Sequence, residues 1–525
     1  MTRRLDDLVA RPALVDATLL AALALAVAGA YALGTVPEIL SLGAVLVWAL
    51  VISHIETVRL TAGKRPLFVP FLVAGFLFAH VFWDTSRREV YLHMAIVALL
   101  GVYILAIDDE RRAMVVRRSA PVVLPLLGLV AAVWVAYLTA GHMAGGDKQW
   151  LLKLVAAVAL VPMVVLYCDS LEGVERFVMW ILGFACVQLP VVLLQALGLA
   201  GRLPGPFRRF DASSFGGSVS EFVSAGNLPG RLGALRYPGT FGDYELMAEY
   251  CGLIVLLCLG IVVFNLIPRH SRLIMAIGVG LAVAGWFTGT RAFVYGAVGG
   301  SILMVAMAVM QSGRRLRRLG RVLLGAALTV SLVAWVVPEQ VSAAFLGRIG
   351  IFGIGGRNPL NRAEFFRAAW RAAGEMPYYG YGARWLAVFR IALNDPRARS
   401  PHSLYFTILL AAGYLGLAAV IVLATVALTL TIRTAVRRTG SPKLRWWGSV
   451  LAVVVFYWFV NEAKIDFVRL MFVVDFMFAF FGLVAAVTGL AADEARGRAG
   501  LETEPEGDAA EGADEVAVIA AEGLA

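Results

Sequence analysis

The chain has 525 residues, of which 60% are hydrophobic and only 16% are charged, and its formal net charge is +10. Soluble globular proteins are about half apolar and about a quarter charged, so this composition, with a mean hydropathy of +0.79, excludes an ordinary soluble domain. The four cysteines lack Cys-x-x-Cys or Cys/His spacing, which argues against a disulfide framework and against a zinc site.

Apolar runs of membrane-spanning length recur along the chain, because a helix needs about 20 apolar residues to cross the hydrocarbon core. The runs are continuous, whereas the strands of a membrane barrel alternate. They predict an all-α, polytopic transmembrane helical bundle of about 12–14 spans. The candidate spans lie near 17–34, 37–54, 66–83, 90–107, 120–140, 150–168, 177–200, 243–267, 273–289, 292–312, 322–338, 403–432, 446–460 and 466–491.

The basic loops between the spans predict the topology, because cytoplasmic loops carry an excess of Lys and Arg. With the N-terminus inside, "SRR" at 86–88 is the one basic exception on the outer side. The last residues, 493–525, are acidic and lack aromatic side chains, which predicts a disordered cytoplasmic tail after a membrane domain over 1–492. The strongly basic short loops that fall inside are 59–65, 108–118, 268–272, 314–321 and 433–445.

The same topology places two long loops, 201–242 and 339–402, on the extracytoplasmic side. The second carries nine arginines against four acidic residues and no lysine. Guanidinium groups bind phosphate oxygens bidentately, so this face predicts an anionic ligand. The alternative is compositional, because the whole chain uses 41 arginines and 5 lysines; that bias explains the choice of arginine but not the number of outer charges.

Within the second loop, 358–377 is predicted to form a helix, with Asn361 as N-cap and Pro377 at its end. Its apolar face is predicted to pack onto the outer ends of the spans, or to lie on the membrane or cover a cavity. That face contains Phe365, Phe366, Ala369, Trp370 and Ala373, and the polar face contains Glu364, Arg367, Arg371 and Glu375. Possible substrate-binding residues of this loop are Arg362, Arg367 and Arg384.

Three further residues lie near the predicted outer surface of the membrane. Arg236 precedes the span at 243, and Arg291 lies in the tight connection before 292. Ionisable residues at such positions are costly unless they are paired or functional, although Arg291 could instead extend to the headgroups. His402 ends the arginine-rich loop at the start of a span, where a neutral imidazole can act as a base. An ordinary residue at a helix start is the alternative for His402.

Four stretches, in this order, resemble the family of bacterial O-antigen ligases and O-antigen polymerase-like proteins. They are "RYPGTFGDYELMAEYCGLI" from 236, "FTGTRAFVYGAVGG" from 287, "NRAEFFRAAWRAAGEMPYYGYG" from 361 and "PHSLYFTILLAAGYLGL" from 401. The resemblance covers about residues 236–420, and it departs from the family pattern at Asp243, Tyr244, Thr290 and Tyr381.

The resemblance implies a fold similar to that of glycosyltransferases that use lipid-linked sugars, and a metal-independent reaction without cofactors. The donor would be a glycan on undecaprenyl pyrophosphate, and the acceptor a sugar hydroxyl at the outer face of the cytoplasmic (inner) membrane. His402 would activate this hydroxyl, and Arg236 and Arg291 would hold the pyrophosphate. The partners implied are the lipid-linked glycan, an acceptor glycan or glycolipid, and membrane lipid, without nucleic acid. Ligase and polymerase remain alternatives, as does a secondary transporter or flippase for the lipid carrier.

Overall fold

The protein is described here by a computed structural model, and all of the secondary structure that it describes is helical. The described residues are 51–70, 72–73, 86–140, 145–197, 199, 237–241, 243–288, 290–311, 358–375, 377–396, 401, 403–437, 440–463 and 471–503. A helical segment over 51–61 precedes the labelled helices. These are α1 (Ser86–Ala106), α2 (Asp109–Thr139), α3 (Gly145–Val158), α4 (Leu160–Tyr167), α5 (Leu171–Ala185), α6 (Gln188–Ala196), α7 (Tyr244–Phe264), α8 (Ser271–Phe287), α9 (Arg291–Gln311), α10 (Asn358–Gly374), α11 (Trp385–Leu393), α12 (Leu404–Val436), α13 (Pro442–Asn461) and α14 (Met471–Thr503).

The helices begin where short polar side chains can bind free backbone N–H groups. The Asp108 carboxylate accepts from the Arg111 amide at 2.7 Å before α2. The Asp243 carboxylate accepts from the first amides of α7 in the same way. α7 ends at Phe264 and is capped by Asn265, whose φ of 53° is a left-handed conformation that asparagine tolerates. Local sequence thus sets these helix ends, and the apolar runs set the helix lengths.

Among the described residues, seven helices are long and apolar enough to cross a membrane. They are Asp109–Thr139, Leu171–Ala196, Tyr244–Phe264, Pro268–Phe287, Leu404–Val436, Pro442–Asn461 and Val474–Gly497. The prediction of a multi-pass, all-helical membrane protein is therefore confirmed. The total of spans stays a prediction, because those near 17–34 and 322–338, and most of those near 37–54 and 66–83, lie outside the described residues.

α7 runs antiparallel to α13, because Gly252 lies against Tyr457 whereas Gly260 lies against Val450, and this gives the bundle two ends. We call the lower end the one where α2 begins and α12 ends, and the upper end the one where α7, α9 and α12 begin. The Arg65 guanidinium at the lower end binds the Asp169 carboxylate at 2.8 Å. The Arg118 guanidinium binds the Asp493 carboxylate at 2.7 Å, and Lys443 pairs with Glu175. The basic loops 59–65, 108–118 and 433–445 therefore share one end, as predicted.

The boundary predicted at 493 differs from the helix end in the structure. α14 continues to Thr503, past the start of the predicted tail. The physical reason is the position of Asp493, which pairs with Arg117 and Arg118 of α2 instead of extending into water. Residues 504–525, the rest of the predicted tail, lie outside the described residues.

The interior of the bundle is formed by α7, α13 and α14, which are mostly buried, whereas α8 and α12 turn much of their surface outward. Trp447 and Trp458 of α13 are the largest fully buried side chains among the described residues. Because α13 ends at the upper end, its last turn lies at the centre of the surface that carries the candidate site.

Candidate functional site

Three helices begin at the upper end, where α13 finishes, and all three contact the last part of α13. The ring of Tyr457 lies against Gly252 of α7 and Gly296 of α9, and a Cβ at either glycine would overlap it. The amide of Leu404, the first residue of α12, donates to the Glu462 carbonyl at 2.9 Å. Since a helix start carries a partial positive charge, three such charges lie at one end of the molecule.

The turn that precedes α7 is held by two buried glutamines of α6. The Gln195 side-chain amide exchanges two hydrogen bonds, both of 3.0 Å, with the backbone of Gly239. Gln188 makes the equivalent pair with Thr240, accepting from its amide at 3.0 Å and donating to its hydroxyl at 2.5 Å. The Tyr237 amide also donates to the Phe287 carbonyl at the end of α8, at 3.4 Å. The chain directly after Arg236 is therefore fixed in place.

A second fixed segment, 378–382, docks into a break in α12. Gly413 has a φ of 66° and a ψ of −162°, so the helix is interrupted there. In a continuous helix the Tyr414 amide would donate to Leu410. Here the Tyr414 amide donates to the Tyr378 carbonyl at 3.2 Å, and the Leu410 carbonyl accepts from the Tyr381 amide at 2.8 Å. The docked segment thus replaces the missing helical bond.

Tyr381 also joins this segment to α10, because its hydroxyl donates to the Ala372 carbonyl at 2.7 Å. Burial and the nearby charge of Glu375 raise the pKa of Tyr381. Near neutral pH the phenol therefore keeps the proton that it donates. The two glycines beside it have φ values of 88° and 54°, and a Cβ at Gly382 would overlap the Ala136 carbonyl at the end of α2.

An open cavity of about 570 Å³ lies between α10 and the first turn of α12. We call it the Trp370 groove, and it is lined by Phe366, Arg367, Trp370, Arg371 and Phe406. The ring of Phe406 lies 5.2 Å from that of Phe366 and 6.4 Å from that of Trp370, measured between centroids. The groove therefore combines aromatic faces with two guanidinium groups.

The structure describes only some of the predicted site residues. Arg236 and His402 lie outside the described residues, so their assignment stays a prediction. Arg291 is the first residue of α9 and Arg362 lies in α10, but both side chains are outside the described part. The side chains of Arg367 and Arg384 are exposed at the upper end, and Arg367 lines the Trp370 groove.

The predicted apolar face of α10 is wrong at one position. Trp370 is 69% exposed, whereas Ala368 and Ala372 are buried. Small side chains let α10 approach Phe389 of α11 and Leu410 of α12 closely, and the large indole is left on the open side. Phe365, Ala369 and Ala373 do face the neighbouring helices as predicted.

Sequence reasoning also missed several residues of this end. Gln188 and Gln195 are polar residues seven positions apart in an otherwise apolar run, which places them on one helix face, and this spacing could have indicated a buried partner. The backbone conformation of Gly413 depends on the distant segment 378–382, which no local pattern indicates. Among the described residues, no group of three or more His, Cys, Asp and Glu side chains is arranged to hold a metal ion.

No protein-family model matches the chain, and no curated protein matches it.

Proposed function

We propose that the chain is a membrane glycosyltransferase of the O-antigen ligase type. It transfers a glycan from undecaprenyl pyrophosphate to an acceptor sugar hydroxyl at the upper end, on the extracytoplasmic side. The observation that carries the proposal is that α7, α9 and α12 all begin at the end of the bundle where α13 finishes. Along the sequence, each of these helices begins at, or within eight residues after, one residue proposed for the reaction: Arg236, Arg291 and His402.

The helix starts and the arginines together suit a diphosphate. Backbone N–H groups and the helix dipole favour an anion at a helix start, and arginine adds bidentate hydrogen bonds. The turn that follows Arg236 is clamped by Gln188 and Gln195, so the backbone beside the proposed diphosphate site is preorganised. Preorganised positive charge stabilises a leaving group most as its negative charge develops.

The reaction proposed is a substitution at the anomeric carbon of the donor sugar. The acceptor oxygen forms a bond to this carbon, and the bond from the carbon to the pyrophosphate oxygen breaks. The electron pair of that bond leaves with the pyrophosphate, whose charge Arg236 and Arg291 stabilise. His402 takes the hydroxyl proton and later releases it to solvent.

The experiment is a transfer assay with purified protein, a defined lipid-linked oligosaccharide and an acceptor glycolipid. We expect His402→Ala and Arg291→Ala to abolish transfer, and Arg291→Lys to restore only part of it, because lysine lacks the bidentate fork. Arg269→Ala, at an exposed position of the lower end, is the matched control and should retain activity. Full transfer by His402→Ala would overturn the catalytic assignment.

The products of the same assay separate ligase from polymerase. A single addition to a distinct acceptor supports the ligase, whereas a ladder of products supports a polymerase of the same family. The features described at the upper end concern the donor, and they are common to both reactions.

Two observations favour a secondary transporter or flippase as the second candidate. α12 is interrupted at Gly413, and transporters often have interrupted helices at their substrate sites. A buried pair inside the bundle, with His93 Nε2 at 2.9 Å from the Asp475 carboxylate, could take part in proton transfer. However, the break in α12 is filled by the docked segment 378–382 instead of lining a cavity, which favours the enzyme. Movement of labelled lipid carrier across vesicles without any glycan transfer would support the transporter.

A further inference from the structure

The Trp370 groove has features of a ligand site that the proposed reaction does not use. Trp370 is 69% exposed although it is the largest side chain of α10. It stands edge-on to Phe406 at 89°, while Phe366 and Phe406 lie at 30° to each other. The three rings therefore form the walls of a concave surface. A cavity of about 570 Å³ falls within the usual size of small-molecule sites, roughly 300–1,000 Å³.

The two arginines of the groove provide its charge. Arg367 and Arg371 are exposed and lie one helical turn apart on α10. The Arg371 guanidinium donates to the Ala392 carbonyl at 3.4 Å, which holds it toward the end of α11. Within the described part of the chain, neither guanidinium forms an ion pair, although Glu364 lies on the same helix and Glu375 directly follows it. Both are therefore available to an anion that enters the groove.

We propose that the Trp370 groove binds an anionic sugar residue of the glycan substrate, one that carries a carboxylate or a phosphate. The C–H face of a sugar ring is weakly positive and packs on the negative face of an aromatic ring. A carboxylate or phosphate on the same ring accepts from Arg367 and Arg371. This inference rests on the proposed function, since the groove adjoins the first turn of α12, four residues after His402 in the sequence.

The alternative occupant is an anionic lipid headgroup, because tryptophan and arginine also anchor proteins at membrane interfaces. The concave shape favours the sugar. A headgroup needs only one cation near the membrane plane, whereas three aromatic rings beside two guanidinium groups suit the C–H face and the anionic group of a charged sugar. The lipid is therefore an outcome of the test.

The test measures binding alone, so that it does not depend on transfer. Full-length protein in nanodiscs of a zwitterionic lipid is titrated with a uronic-acid disaccharide and, separately, with its carboxyl-reduced neutral counterpart. We expect the charged disaccharide to bind at least about tenfold more tightly, as charged hydrogen bonds predict. Equal affinity for the two sugars would overturn the charge argument.

Three variants locate the binding. The double variant Arg367→Gln, Arg371→Gln should remove the preference for the charged sugar. Trp370→Ala should weaken the binding of both sugars by a similar factor. Trp370→Phe should restore part of the affinity, because a smaller ring remains. Tyr378→Ala is the matched control, an aromatic side chain 65% exposed at the same end and outside the groove, and should bind like the wild type. Unchanged affinity in the groove variants would overturn the location.

Nanodiscs that contain phosphatidylglycerol provide the lipid arm. If anionic lipid abolishes sugar binding and Trp370→Ala weakens association with anionic vesicles, the groove is a lipid anchor and the proposal is overturned. The outcomes also separate this inference from the proposed function. Sugar binding in the groove without transfer from any donor would support the groove as a sugar site and overturn the proposed transferase activity. Transfer without sugar binding in the groove would support the transferase activity and overturn the groove as a sugar site.

Discussion

The break in α12 makes one prediction that can be worked out from the structure, the effect of Gly413→Ala. The backbone at Gly413, with φ 66° and ψ −162°, is a conformation that only glycine adopts readily, and another residue there costs about 1–3 kcal/mol. The new Cβ would also lie 2.6 Å from the Gly380 nitrogen and overlap the Tyr378 carbonyl. Displacing that backbone costs about 1–3 kcal/mol more by analogy with overpacked cores.

We therefore expect Gly413→Ala to lower the free energy of unfolding by roughly 2–6 kcal/mol. Equilibrium unfolding by sodium dodecyl sulfate in mixed micelles measures it. Gly299→Ala is the control, because Gly299 is a helical glycine of α9 with open space around it, and alanine should be neutral or stabilising there by up to about 1 kcal/mol. Limited proteolysis should also cleave 378–382 faster in Gly413→Ala. Equal stability and proteolysis in the two variants would refute the docking argument.

Two further predictions concern other buried polar groups. Burial raises the pKa of Glu56 to about 7, against 4.5 in the unfolded chain. The folded chain therefore keeps this proton to a higher pH than the unfolded chain does. Its free energy of unfolding should fall by about 3 kcal/mol as the pH rises from the lower pKa to the higher one. Glu56→Gln keeps an oxygen that accepts from the Leu67 and Phe68 amides, and it should remove this dependence of stability on pH. The measurement is the free energy of unfolding from about pH 5 to pH 8. The same pH dependence in the variant would contradict the assignment to Glu56. Gln195→Leu leaves the Gly239 amide and carbonyl unpaired and should cost roughly 2–4 kcal/mol in the same micelle unfolding, whereas Leu193→Ala on the exposed face of α6 should cost less; equal losses would argue against the clamp.

Hydropathy predicts the described helices, and charge predicts which of the described basic loops share one end, because both are properties of the chain itself. A run such as 243–267 has nowhere else to satisfy its backbone in a membrane, and α7 occupies Tyr244–Phe264. The basic loops share one end for a similar reason, since charge is expensive to move across a bilayer. Neither hydropathy nor charge depends on which helix contacts which.

The features that sequence could not supply all depend on distant contacts. The conformation of Gly413 is set by Tyr378 and Tyr381, which lie far outside any local window. The exposure of Trp370 follows from the packing of the alanine face of α10 against Phe389 and Leu410, and hydrophobicity alone predicts the opposite. The glutamine clamp on 239–240 likewise joins residues more than 40 positions apart.

The ion pairs of the lower end have a consequence for assembly. Under the predicted topology, the charge of Arg117 and Arg118 keeps the start of α2 on the cytoplasmic side as that helix inserts. This happens long before α14 is synthesised. Asp493, their partner, arrives with the last span. The same two side chains would thus first fix the direction in which a helix inserts and later fasten the first half of the bundle to its last helix. Truncation before Asp493 would leave the chain inserted in the correct orientation but without the ion pairs that join α2 to α14.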